Sequence, residues 1–371
     1  MGKSKDLAEL AGVTSRLDTV GASSGALSNR NIIINGAMDV AQRGTSFTNP
    51  SVSAYTLDRW STVYSHDGAV DVSQSTTTPA GFKNSLKIDV TTADSSLSSS
   101  QYYILQQIIE GQNLSHLNYG SSDAKEVTVS FWVRSNKTGT YYVEIQTSGS
   151  QELARPYTIN TANTWEHKTL TWIANTDFTI TETNAAGVIL YWWLAGGSAY
   201  TGSPLATTWA NNTNRVTGQT NFLDSTSNEF YITGVQLEVG DTATDFEHRS
   251  FADELQRCQR YYYIMDSSTS NGSYLRYCNA FYKSATAAEG VIHLPVEMRA
   301  TPTLTASGTI AMYDGANLLT ISTFVLGNDG SSNRIVVFDA NNIASGGVQH
   351  RPGVFLSNAN TTSKVELSSE L

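Results

Sequence analysis

Alternation with a period of two dominates the middle of the chain. From Lys125 to Ser135, Val127, Val129, Phe131 and Val133 alternate with Thr128, Ser130, Trp132 and Arg134. Successive side chains of a strand point to opposite faces, so this run predicts a strand with an apolar face. After the turn-forming run SNKTG, Tyr141, Val143 and Ile145 repeat the pattern against Tyr142, Glu144 and Gln146, which predicts a hairpin. The same reading places strands at Ser85–Val90, Tyr102–Ile109, Trp165–Ile173, Phe178–Thr181, Val188–Leu194 and Phe230–Val239. Gly234 marks a bulge in the last of these. Many short strands separated by frequent turns predict a two-sheet sandwich of jelly-roll type.

The segment SFADELQRCQRYYY breaks the alternation. Ser250 can cap a helix, Asp253 and Glu254 suit its first turn, and Phe251, Leu255, Cys258 and Tyr262 fall on one face. Beyond it, apolar stretches at Gly290–Leu294, Leu318–Val325 and Arg334–Phe338 alternate with Gly-, Asn- and Ser-rich turns. Pro302, which cannot donate to a ladder, makes MRATPTLT the start of an edge or linking strand. At the other end, Leu7, Leu10 and Leu17 show partial heptad spacing before the run GASSGALSN. That segment reads equally as a loose tail or as a peptide that docks on a larger assembly. The fold class is thus all-β, with four parts. An extended or partly helical N-terminal segment covers residues 1–30 and a jelly-roll β-sandwich residues 31–249. A connecting helix follows at 250–264 and a smaller C-terminal β-domain at 265–371.

Composition narrows the function classes. Hydrophobic residues make up 40% and charged residues only 15%, with 18 Tyr, 12 Phe and 7 Trp, which is too apolar for a disordered chain. The 23 basic residues are scattered and outnumbered by 33 acidic ones, so nucleic acid is not an expected partner. No apolar run is long enough for a membrane span. Acidic residues and Gly12 interrupt any signal-peptide core after Lys3 and Lys5. Cys258 and Cys278 leave room for one bridge at most and read more simply as two reduced, packed thiols.

Catalytic constellations fail one by one. There is no G-x-S-x-G elbow, no local Cys–His signature and no phosphate-cradling glycine loop. The expectation is a protein that is not an enzyme, with no catalytic residues. A carboxylate pair for glycoside hydrolysis, such as Asp241 and Asp245, reads more simply as loop residues in solvent. The six His are dispersed, so no metal site is assigned and no cofactor is expected. A structural Ca2+ would have Asp39, Asp58 and Asp241 available as ligands. Aromatic residues carry more: Trp192 and Trp193 are adjacent and must face opposite sides of a strand, so one can be core while the other points to solvent or a partner subunit. Tyr200 and Trp209 follow in a polar, Gly-rich stretch. Exposed rings beside amides grip sugars, which makes Trp193, Tyr200 and Trp209 the candidate glycan-binding residues.

Three phrases carry a resemblance: RNIIINGAMDVAQRGTSFT with the following YTLDRW, then TVSFWVRSNKTGTYYVEI, then FYITGVQLEVGDTATDFEHRSFADELQRCQRYYY. In this order, over residues 28–264, they resemble the jelly-roll module of tail-fibre and appendage proteins of tailed bacteriophages, notably marine ones. The ending VQLEVGDTATDFEHR is also similar to the last strand of carbohydrate-binding-module jelly rolls. MGKSKDLAELAG looks like the N-terminal segment that joins such proteins to the virion. The resemblance implies a homotrimeric, non-enzymatic tail-fibre-like protein in the virion. Other tail or adaptor proteins would bind through residues 1–30, and host-surface glycans would be the target. A surface of extracellular type without an export signal agrees with release by lysis. Two other classes remain: a purely structural head or neck fibre or adaptor, and a polysaccharide depolymerase. The phrases themselves read as fold-determining, with Asp58 and Arg59 expected as a buried pair beside the Trp60 indole.

Overall fold

A computed structural model describes residues 29–202, 204–211, 215–269, 274–327 and 329–371. All but the last two residues of the expected N-terminal segment 1–30 lie outside the described residues. The chain forms two compact units that divide between Phe251 and Ala252. Among the described residues, no helix is long and apolar enough to cross a membrane.

The first unit is a jelly-roll β-sandwich of two antiparallel sheets. One has the order β1 (Ser46–Phe47), β3 (Ala69–Ser75), β4 (Ser85–Thr92), β11 (Glu229–Val239), β6 (Val127–Ser135) and β9 (Glu166–Trp172). The other has β2 (Ser61–Ser65), β5 (Tyr102–Glu110), β10 (Ala186–Gly196), β7 (Gly139–Thr147) and β8 (Glu152–Ile159). Both strands of the predicted hairpin are present as β6 and β7, but they do not pair with each other. The turn between them crosses from one sheet to the other, which makes a sandwich connection and not a hairpin. Gly234 adopts φ +61°, and the β11–β6 register slips between Thr233 and Gln236, as the expected bulge requires. The inward sets of both sheets meet in one core. There Trp192 lies edge-on to Trp60 and Phe131, with centroids 5.4 and 5.9 Å away.

The phrase RNIIINGAMDV is explained by side-chain hydrogen bonds that stand in for a strand ladder. The Asn31 carboxamide accepts from Ile33 N and Leu237 N and donates to Val235 O. Buried Asn35 exchanges hydrogen bonds with Val40 N and O and donates to Asp58 O, while its carbonyl accepts from the Trp60 indole at 3.0 Å. Gly36 admits no side chain, since a Cβ would sit 2.1 Å from Val235 O. Asp58, Arg59 and Trp60 are all buried as expected. Asp58 accepts from Gln42 and faces Arg43 at 4.0 Å, and Arg59 donates to Ile108 O.

Some expectations need correction. Phe178–Thr181 is not a strand. The Asn175 side chain captures the amides of Asp177 and Phe178 at 3.1 and 3.0 Å, offering the backbone a turn in place of a ladder. β1, β2, β3 and β8 were not foreseen. β8 carries Pro156, which a sheet tolerates because β8 is an edge strand.

The second unit holds a closed six-stranded barrel in the order β13 (Arg276–Ser284), β14 (Ala287–His293), β18 (Ile335–Ile343), β17 (Leu318–Leu326), β16 (Ile310–Tyr313) and β19 (Pro352–Ser357). A separate three-stranded sheet runs β12 (Tyr262–Asp266), β20 (Lys364–Ser368) and β15 (Thr303–Ser307). β15 follows Pro302 and is an edge strand, as expected. The helix α1 spans Phe251–Gln259, shorter than its apolar stripe suggested, because Tyr262 already belongs to β12. On that stripe Cys258 is buried and Phe251 is exposed. Cys258 and Cys278 are free thiols.

All seven Trp lie between Trp60 and Trp209, so indole fluorescence reports on the sandwich alone. Replacing core Trp192 by Ala is expected to destabilise it by about 3–5 kcal/mol. Urea unfolding followed by fluorescence checks this, and a loss under 1 kcal/mol would contradict the packing described.

Candidate functional site

The outer face of the five-stranded sheet is where the alternation leaves an unusual set of residues. Pairing aligns Ser61, Gln106, Tyr191, Glu144 and Ala154 in one row across the five strands. The next row is Val63, Ile104, Trp193, Tyr142 and Pro156. Directly opposed side chains on one face lie close enough to touch. The result is a band of rings with a carboxylate set into it.

The chain after β10 returns over this band and closes it. Tyr200 packs against Trp193 and Tyr102, with ring centroids 5.2 and 5.5 Å away, and Tyr102 lies 6.0 Å from Trp193. The amides of Arg215 and Val216 both donate to Tyr200 O, at 2.8 and 2.9 Å. Tyr142 Oη donates to Thr217 O, and Gln219 Nε2 donates to Trp193 O at 3.0 Å. Val216 is fully buried against Ile104, Tyr142 and Trp193, forming a small core outside the sandwich. What stays open is a cleft of about 230 Å³, lined by Val63, Tyr102, Ile104, Tyr191, Trp193, Tyr200 and Arg215.

Charge is built into the cleft wall. Arg215 reaches Glu144 Oε1 at 3.4 Å and Glu152 Oε1 at 3.1 Å, with about a quarter of its side chain exposed (24%). Glu144 Oε2 accepts from the Trp193 indole at 2.8 Å, and Glu152 Oε2 accepts from Gln146 Nε2 at 3.3 Å. Gln146 Oε1 in turn accepts from Tyr191 Oη at 3.2 Å. Burial pushes the Glu144 carboxyl up to about 7, with Glu152 adding to the rise while Arg215 and the indole oppose it. Burial, with Glu144 nearby, raises the Tyr191 phenol to about 12.

The geometry equips this face for binding. Partly exposed Tyr102 and Tyr200 offer ring faces that can stack on a sugar ring, and the partly exposed Arg215 guanidinium stands at the rim as a donor. The phenols of Tyr191 and Tyr200 already donate to Gln146 Oε1 and Ser100 O and can accept. The two carboxylates turn inward, and all four of their oxygens are already hydrogen-bonded. They fix Trp193 and Arg215 in place and are not presented to a ligand.

Of the residues singled out in the sequence, Trp193 and Tyr200 meet in this cleft. Trp193 is not an exposed ring: it is 1% exposed, roofed by the returning segment. Adjacent Trp192 enters the sandwich core on the other side of the sheet, as the alternation demands. Trp209 is not brought to the cleft. It packs on Tyr119 at 6.0 Å, beside the main core, and its indole donates to Ile173 O. Tyr102, Tyr191, Glu144 and Arg215 were not foreseen. The alternation in β5 and β7 already sets Tyr102 with Ile104, and Tyr142 with Glu144, on one face. The register that joins them, and the return of Arg215, had no local signal.

The carboxylates considered for Ca2+ are dispersed. Asp39 accepts from Asn84, Asp58 is buried among Gln42 and Arg43, and Asp241 accepts from Thr242. Among the described residues, no group of three His, Cys, Asp or Glu side chains could hold a metal ion. Asp241 and Asp245 are exposed loop residues.

Comparison with known proteins finds no matching family model and no matching curated protein. Among solved structures, one similar chain is the enzymatically active domain of tailspike protein 4 of bacteriophage CBA120. It is 12% identical with TM-score 0.31, and the match covers 56% of this chain and 21% of that one. This chain therefore spans about a fifth of the tailspike domain's length. A family 11 carbohydrate-binding module of Clostridium thermocellum, in complex with a β-1,3-1,4-mixed-linked tetrasaccharide, is 9% identical with TM-score 0.28. That match covers 55% of this chain and 99% of the module. A xylan-binding domain of carbohydrate-binding-module family 22 is 15% identical with TM-score 0.28, covering 55% and 99%.

The buried carboxyl sets a pH dependence. An unfolded chain releases the Glu144 proton near 4.5, the folded chain near 7. Between those values the folded state holds more protons, so this group lowers stability as pH rises from about 4.5 to about 7 and is flat above. Glu144→Gln should remove that slope. Unfolding free energies of parent and variant that run parallel from pH 4 to 8 would contradict it.

Proposed function

We propose that the chain is a glycan-binding protein, not an enzyme, and that it serves as a tail-fibre-like appendage of a tailed phage contacting host-surface sugars. The observation that carries the binding half is the cleft of Tyr102, Trp193 and Tyr200 with the Arg215 guanidinium at its edge. The partly exposed rings of Tyr102 and Tyr200, backed by the buried Trp193 indole, can stack on the C–H faces of a saccharide while Arg215 takes its hydroxyls. The indole is held by Glu144, so its orientation is set before a ligand arrives, and little ordering is left to oppose binding.

The inward-facing carboxylates support a non-catalytic role. Glycoside hydrolysis needs one carboxyl free to protonate a leaving group and another free to attack or activate water. Glu144 and Glu152 have their oxygens committed to Trp193, Arg215 and Gln146.

The appendage half rests on the three phrases and on the weakly charged, hydroxyl- and amide-rich composition. In this reading the protein is a homotrimer of the virion, and residues 1–30 join it to tail or adaptor proteins. A shallow cleft then suffices, because several copies on one particle multiply weak affinity. A purely structural appendage would leave the cleft without a ligand.

A glycan array probed with the purified chain, followed by titration of the best neutral oligosaccharide, tests the proposal. Tyr200→Ala should weaken that affinity roughly threefold to tenfold, the scale of one lost aromatic contact of ~0.5–1.5 kcal/mol. Trp209→Phe should leave it unchanged, and host polysaccharide should gain no reducing ends on incubation. No saturable binding across the array would favour the structural appendage, and new reducing ends would favour a depolymerase.

A further inference from the structure

The barrel of the second unit carries a pocket unrelated to the aromatic cleft. Its floor and walls come from four neighbouring strands, β13, β19, β16 and β17. In β19, Phe355 points into the barrel core, so the next residue, Leu356, points outward; it is nevertheless only 4% exposed. In β13, Arg276 pairs opposite Leu356, and in β16, Tyr313 pairs with Val354 and Leu318. Tyr274, just before β13, projects on the same side as Arg276, because Leu275 and Tyr277 pack into the core. Tyr274, Arg276, Tyr313, Leu318 and Leu356 enclose about 310 Å³.

Two features set this pocket apart. Tyr274 is 53% exposed, Leu318 40% and Tyr313 36%, so two rings and an aliphatic side chain stand in solvent around one concavity. In their midst, Arg276 is exposed and its guanidinium makes no hydrogen bond or ion pair among the described residues. Other arginines of the unit are engaged: Arg334 with Glu297, Arg351 with Asp314, and Arg299 with the carbonyls of Ser369 and Glu370. Asp314, next to Tyr313, is already taken by the amides of Ala316 and Asn317 and by Arg351. A guanidinium without a side-chain partner thus lines the same concavity as two tyrosines, in a chain with net charge −10.

We propose that this pocket binds an acidic saccharide, a uronic-acid unit, independently of the sandwich cleft. The guanidinium presents parallel N–H groups that match a carboxylate in two hydrogen bonds. Tyr274 and Tyr313 offer faces for the pyranose ring, and Leu318 and Leu356 cover its apolar edge. The pocket has the size of a discrete small-ligand site.

Titration of the full-length chain with trimers of galacturonate and of glucuronate, against neutral galactotriose, tests this. At least one uronate should bind saturably, more weakly as salt rises. Arg276→Met, which keeps the stem and removes the charge, should weaken that binding at least tenfold while leaving neutral-sugar binding at the cleft intact. Tyr274→Ala should weaken it severalfold. The proposal is overturned if neither uronate saturates at low salt, or if Arg276→Met binds like the parent. It is also overturned if Tyr200→Ala abolishes uronate binding instead. Concentration-dependent self-association that Arg276→Met abolishes would make the pocket a contact between copies, and would likewise overturn it.

Discussion

A strand at the centre of a sheet must place consecutive side chains on opposite faces, and β10 has tryptophan at two consecutive positions. Trp192 enters the space between the sheets and packs edge-on against Trp60 and Phe131. Trp193 is thereby committed to the outside, where a bare indole beside Tyr102, Ile104 and Tyr142 would leave a large apolar area in water. Tyr200 and the stretch Arg215–Gln219 answer that constraint. They bury Val216 on Trp193 and place Tyr200 at its rim. The cleft is the part of this outer band that they do not cover.

The same closure explains the buried charges. Glu144 occupies the row between Tyr191 and Ala154, so covering the face takes it out of water. Isolated, it would be too costly to ionise. Arg215 arrives with the returning segment and bridges Glu144 and Glu152, while the Trp193 indole takes the remaining oxygen of Glu144. Removing one partner from such a network strands the others, so it specifies one arrangement more than it adds net stability. The sandwich core gives the unit its stability, and the network gives the cleft its shape.

Much of the fold was readable from local pattern. The strands Val127–Ser135, Gly139–Thr147 and Glu229–Val239, the bulge at Gly234 and the opposite fates of Trp192 and Trp193 all follow from period two. The failures have physical causes. Asn175 diverts Phe178 into a turn through its side chain, a competition that hydrophobic pattern does not register. β8 was hidden by Pro156, which only its place at the sheet edge makes acceptable. The site was half legible: Trp193 and Tyr200 stand seven residues apart and do meet. Tyr102, Glu144 and Arg215 reach them only through strand register and a long return, which no local window contains. Trp209 resembled them in context but packs on Tyr119 instead.

In the binding role proposed above, sugar sits on the face around Trp193. Its indole N–H, held on Glu144, gives a resonance of its own, assignable by the loss of that signal in Trp193→Phe. Two-dimensional 15N–1H spectra of the full-length chain, titrated with a neutral oligosaccharide that it binds, are the most direct test. The expected result is a saturable shift of the Trp193 indole signal with the dissociation constant measured for the whole protein, and a Trp209 signal that stays fixed. Saturating sugar that leaves the Trp193 signal where it began, or that moves Trp209 instead, would contradict it.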